Sequence, residues 1–122
     1  MAVIKRFEDL IAWQKARRLA NVIYVTDLPA FKRDPQLRNQ LRDAAGSAMH
    51  NIAEGFDSGT PGEFIRFLKI ARRSASEVHS ELYLALDREY IDQNRLDHAH
   101  GLATETKRLI NGMITHLRQK MT

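Results

Sequence analysis

The stretch Asp34-Pro35-Gln36-Leu37-Arg38-Asn39-Gln40-Leu41-Arg42-Asp43-Ala44-Ala45-Gly46-Ser47-Ala48-Met49-His50-Asn51-Ile52-Ala53-Glu54-Gly55 decides the fold. Asp34 is an N-cap residue, and Pro35 follows at the first helical position, where a missing N–H costs nothing. Leu37, Leu41, Ala44, Ala45, Ala48 and Ile52 then recur at steps of three and four, the period of one buried helix face. Gly55 reads as the C-cap, because glycine takes the left-handed conformation there without strain.

The chain on either side repeats this grammar. Downstream, Phe56-Asp57-Ser58-Gly59 is a tight connection, and Thr60-Pro61-Gly62-Glu63 matches a capping box. In that box the Thr60 hydroxyl accepts from the Glu63 N–H while the Glu63 carboxylate reaches back. Phe64, Leu68, Ala71, Ala75, Val78, Leu82 and Leu86 carry a third helix to about Arg88. Tyr90-Ile91-Asp92 breaks it, and Asp92 or Asn94 caps a fourth helix bearing Leu96, Ala99, Ala103, Ile110, Met113 and Leu117. Upstream, the apolar positions Leu10, Trp13, Ala16, Ala20 and Ile23 mark a helix from Phe7 to near Thr26, stopped by Asp27-Leu28-Pro29. Four helices joined by short loops predict an all-α, antiparallel up-down-up-down four-helix bundle, with residues 1–122 as one domain.

Composition agrees with this class. Of 122 residues, 43% are hydrophobic and only 7% aromatic, which favours helices packed through small and aliphatic side chains over a β-sandwich. The absence of cysteine excludes a disulfide scaffold, a thiolate zinc site and a thiol nucleophile, and fits a reducing cytoplasm. No run approaches the roughly 18 apolar residues of a membrane span, and Met1 to Phe7 is too short and too charged for a secretory core, so the reading is a soluble, unprocessed protein. With 19 Lys plus Arg against 15 Asp plus Glu, the net charge is +4, which permits a polyanionic partner without requiring one.

A second stripe runs beside the apolar one on the second helix. Gln40, Ala44, Ser47, Asn51 and Glu54 step by four, three, four and three, and Phe67, Ile70, Ser74, Glu77 and Glu81 form a comparable line on the third helix. These side chains are either plainly exposed or a polar seam that fixes register between helices or between subunits. A helix that is small or apolar on two adjacent stripes presents more surface than one neighbour in a small bundle covers, so a homo-oligomer is expected.

The run from Gln40 to Phe56, with Asn51-Ile52-Ala53-Glu54-Gly55 at its centre, resembles the signature of the four-helix bundle protein family associated with intervening sequences of bacterial large-subunit (23S) ribosomal RNA genes. The likeness extends to Phe7-Glu8-Asp9-Leu10-Ile11-Ala12-Trp13-Gln14-Lys15-Ala16 and to Glu63-Phe64-Ile65-Arg66-Phe67-Leu68-Lys69-Ile70-Ala71, on through Ser74 and Glu77. It covers nearly the whole chain. Asp43 departs from the basic or polar residue common at its place, which argues against that turn touching phosphate. The resemblance implies an up-down bundle, assembled as a ring-shaped homopentamer, without established enzymatic activity. A related branch comprises accessory proteins of diversity-generating retroelements, and by that analogy a reverse transcriptase and nucleic acid become candidate partners.

No catalytic pattern stands out. Di-iron bundles need Glu-x-x-His pairs, but Glu77 is followed at the third position by Ser80 and Glu54 by Asp57. His79, His98, His100 and His116 lie outside any such spacing and read as ordinary surface or cap histidines. Ser47 and Ser74 have no triad pattern around them, and no Gly-rich phosphate loop occurs. No metal or cofactor is expected, and the protein reads as a non-enzymatic binding or scaffolding module. The alternative is non-specific RNA or DNA binding. Arg66, Lys69 and Arg73 share one helix face with Arg72 beside them, Arg38 and Arg42 are one turn apart, and Arg17 and Arg18 cluster on the first helix. Each of these cations also has a simpler reading as part of a salt-bridged, solvated face. Aromatic interleaving for base stacking is poor, since Trp13, Phe56, Phe64 and Phe67 read as core or subunit contacts. Gln40, Ser47, Asn51, Glu54, Ser74 and Glu77 are therefore the candidate seam and oligomer contacts, and the eight cations are the candidate nucleic-acid contacts.

Overall fold

The computed structural model of the chain describes residues 3–25 and 29–121. Four long helices are present: α1 (Ile11–Val25), α3 (Pro35–Asp57), α4 (Pro61–Asp87) and α5 (Gln93–Lys120). A single helical turn, α2 (Pro29–Lys32), precedes α3, and a 3₁₀ turn at Phe7–Asp9 precedes α1. Among the described residues there is no strand.

Neighbouring helices run in opposite directions, as their paired residues establish. Ser47 meets Ser74 and Gly55 lies beneath Phe67, so numbers rise along α3 as they fall along α4. Arg72 reaches Asn111 and His79 stacks on His100, which gives the same relation between α4 and α5. Helix α1 closes the ring by packing on both α3 and α5.

The core is two stacked clusters. One gathers Leu19, Ile23, Phe31, Leu37, Leu41, Val78, Leu82 and Leu96 at the end where α1 finishes. The other gathers Trp13, Ile52, Ile65, Leu68, Ile110 and Ile114 at the opposite end, and Met49 packs against both. Each long helix contributes a fully buried alanine, Ala16, Ala45, Ala75 and Ala103, and such small side chains let the backbones approach closely. Thr106 is also fully buried, and its hydroxyl donates to the Leu102 carbonyl at 2.7 Å, so the buried O–H is satisfied within its own helix.

Three helix starts follow from their caps. The Asp34 carboxylate accepts from the Leu37 N–H at 3.2 Å, the Thr60 hydroxyl from the Glu63 N–H at 3.2 Å, and the Asp92 carboxylate from the Arg95 N–H at 2.8 Å. Only half of the expected capping box forms, because the Glu63 carboxylate turns to Arg66 instead. The second oxygen of Asp34 accepts from the Tyr90 hydroxyl at 3.1 Å, tying the start of α3 to the α4–α5 connection.

Several expectations need correction. The first helix starts at Ile11, after the separate turn at Phe7–Asp9, and the stop signal at Thr26, Asp27 and Leu28 lies outside the described residues. Pro29 opens α2, whose Phe31 is buried in the core, a contribution the periodicity does not reveal. Gly55 is not the C-cap of α3, since the helix continues to Asp57 and Ser58 ends it, with both its N–H and hydroxyl on the Gly55 carbonyl. The left-handed glycine is Gly59, at φ 92°. Gly55 is required for a different reason, close packing: a Cβ there would lie 2.8 Å from the Phe67 Cβ. Leu10, Phe64, Leu86, Met113 and Leu117 are only half-buried, while Ile65, Ala85 and Ile114 are in the core.

Candidate functional site

The polar stripe divides into two parts. Ser47 and Ser74 place their Oγ atoms 2.8 Å apart across the α3–α4 contact. Asn51, one turn beyond Ser47, donates from Nδ2 to the Ser47 carbonyl at 2.8 Å and to its Oγ at 3.0 Å. These three therefore form a connected network inside one chain. Gln40, Glu54 and Glu77 stand exposed outside it. Glu81, also on α4, is half-buried, and one of its carboxylate oxygens is buried without a hydrogen bond. Burial first, and then the neighbouring Glu77 carboxylate, raise the Glu81 pKa above the ordinary range.

The candidate cations have unequal surroundings. Arg66 forms a fork with Glu63 at 3.0 Å and lies 4.5 Å over the Phe67 ring. That pairing lowers the Glu63 pKa, through the hydrogen bond first and the charge second. Arg42 donates to the Tyr24 carbonyl at 3.2 Å near the end of α1 and covers the Tyr24 ring at 5.0 Å. Arg17 lies 5.7 Å from the Trp13 ring. Arg72 donates to Asn111 at 2.8 Å, joining α4 to α5, and Arg38 is half-buried. Lys69, Arg73 and Arg18 are exposed, and Arg18 borders a shallow polar depression on α1 with Gln14, Lys15, Arg17 and Asn21. The candidate cations are thus spread over several faces.

The structure also joins residues that the sequence leaves far apart. His79 on α4 and His100 on α5 stack with centroids 4.0 Å apart and planes 23° from parallel. Tyr83 meets His100 edge-on at 4.8 Å, and the Lys107 Nζ lies 3.4 Å from the His79 Nδ1. The His100 Nε2 is 2.8 Å from the His79 carbonyl oxygen. Burial lowers the His79 pKa, and the His100 and Lys107 charges lower it further. Neither linear spacing nor periodicity can show this cluster, because its members lie on two helices that pair only in the fold.

Other features offer little room for a small molecule. An apolar crevice among Val22, Ile23, Phe31, Leu41, Leu82, Ile91, Arg95 and Ala99 has about 10 Å³, space for about one water. Among the described residues no three His, Asp or Glu side chains converge as metal ligands would, and no helix is long and apolar enough to cross a membrane.

The family model described as 23S rRNA-intervening sequence protein matches residues 8–112. The chain belongs to that family. No curated protein matches it. In this member of the 23S rRNA-intervening sequence family, the matched region runs from the turn before α1 into α5, stopping about two turns short of that helix's end. It thus contains all of the Ser47–Asn51–Ser74 network and the whole histidine cluster.

Proposed function

We propose that this family member works by binding rather than by catalysis, as a homo-oligomeric, pentameric four-helix module that scaffolds other molecules. One observation carries the reading. After the bundle has filled its core, large apolar side chains on the long helices remain open to solvent: Ile11 at 58%, Val25 at 75% and Leu84 at 44% exposure. Val25 and Leu84 belong to the same end of the bundle, because α1 and α4 both finish there. The seam residues Gln40, Glu54 and Glu77 are also exposed, which leaves their polar side chains free for subunit contacts. Symmetric self-association removes such surface from water once for every copy. Light scattering on the purified chain tests this: a mass near five times 14.0 kDa supports the pentamer, and a mass of one chain overturns it.

A second reading is non-specific RNA or DNA binding, favoured by the exposure of Arg18, Lys69 and Arg73. Repetition of these cations around a ring would strengthen a field that is modest in one chain. A reverse transcriptase is a candidate partner on analogy with the retroelement branch.

A further inference from the structure

The α4–α5 face combines exposed aromatic surface with cations that, among the described residues, no carboxylate neutralises. Tyr83 is 49% exposed, and one edge of its ring rests on His100. His100 in turn stacks on His79, so three rings from two helices form one contiguous cluster with Tyr83 at its exposed edge. The Lys107 Nζ lies 3.4 Å from the His79 Nδ1, and Arg72 donates to the Asn111 amide oxygen at 2.8 Å. The Asn111 amide holds Arg72 without cancelling its charge, and the partner of Lys107 is a ring nitrogen rather than a carboxylate. Arg66 and Arg108 differ, since each is forked onto a glutamate. The basic character ends one turn further on, where Asp87 follows Tyr83 and Asp97 precedes His100, with Asp97 bonded to Gln93.

We propose that this face binds single-stranded nucleic acid, with one base stacked on Tyr83 and an adjacent phosphate on Lys107 and Arg72. The proposal rests on the second reading above for its ligand class, and adds the site. A ring accepts any base by its π-face, so recognition is insensitive to sequence. Base pairs in a duplex keep their faces stacked on one another, which excludes them from Tyr83. The backbone contributes the phosphate that two uncompensated cations call for.

The test is fluorescence polarisation of a labelled deoxythymidylate dodecamer with the full chain at low salt, beside a duplex of equal length. Tyr83→Ala weakens binding by about tenfold, the loss expected for one stacked base, whereas Tyr83→Phe retains it. Lys107→Gln weakens binding and reduces the log–log salt slope by about 0.7. Arg108→Gln, which removes a compensated cation, changes nothing. Thermal melting of each variant separates lost binding from lost folding. Tight binding that neither Tyr83→Ala nor Lys107→Gln reduces overturns this site and leaves the general reading standing. No binding of either probe overturns both, and equal competition by polyglutamate overturns the site by reducing it to charge alone.

Discussion

Gly55 lies so close beneath Phe67 that a Cβ at position 55 would come within 2.8 Å of the Phe67 Cβ. The Phe64 ring would stand 2.9 Å away and the Phe64 carbonyl oxygen 3.3 Å, and neither the Phe67 Cβ nor that carbonyl can swing aside without moving the α4 backbone. The end of α3 and the first turns of α4 can approach this closely only because position 55 has no side chain.

Gly55→Ala therefore destabilises the protein, although alanine is the better helix former. Overpacking here outweighs the gain of about 1 kcal/mol in helix propensity, leaving a net loss of about 1–2 kcal/mol. Gly112→Ala on α5, where the added methyl meets open space, has the opposite sign and stabilises by about 0.5–1 kcal/mol. Urea titration of the pair checks both signs.

Gly55 marks the limit of what the sequence discloses. Its importance is legible, but glycine has two uses, a left-handed backbone and a close approach, and only the packed neighbour helix distinguishes them. Caps are local, so Asp34, Thr60 and Asp92 can be read directly from the residues around them. The core periodicity is equally local, which is why Leu41, Ile52, Leu68 and Ile110 are identifiable as interior positions. Ser47 and Ser74 stand out by residue type, yet their meeting depends on the register of α3 against α4. His79 and His100 escape notice because 21 residues and a helix reversal separate them. Half-burial of Glu81 is likewise a property of the assembled bundle.

Helix α4 ends in a Schellman motif with a non-glycine residue at its left-handed position. Tyr90 N–H donates to the Ala85 carbonyl at 2.8 Å and Glu89 N–H to the Leu86 carbonyl at 2.9 Å, while Glu89 has φ 62°. A side chain in that region costs about 1 kcal/mol or more. Glu89→Gly removes the strain and raises the melting temperature by about 3–5 °C, which calorimetry reads directly.

The Ser74 hydroxyl is buried, and its partner Ser47 also serves Asn51. Ser74→Ala costs about 1 kcal/mol, the usual net value of a hydrogen bond. Ser47→Ala combined with Ser74→Ala costs less than the sum of the single changes, because both remove the same bond. Denaturant midpoints for the four proteins of this cycle give the coupling.

Acidification below the ordinary histidine pKa weakens the α4–α5 contact. Desolvation, His100 and Lys107 hold His79 below the ordinary value of 6.5, so in that window the unfolded chain binds more protons than the folded one. Stability from this group is fully present above 6.5 and declines as the pH falls toward the lowered folded value. His79→Gln flattens the fall in melting temperature between about pH 7.5 and about pH 5. An unchanged profile in the variant contradicts the assignment.

In the proposed assembly this bundle is one subunit of a pentameric ring. Light scattering in line with size exclusion at near-physiological salt, with absorbance recorded at 260 and 280 nm across the same peak, tests it most directly. The expected result is a single species near five times 14.0 kDa, and a species of 14.0 kDa at every concentration loaded contradicts the ring.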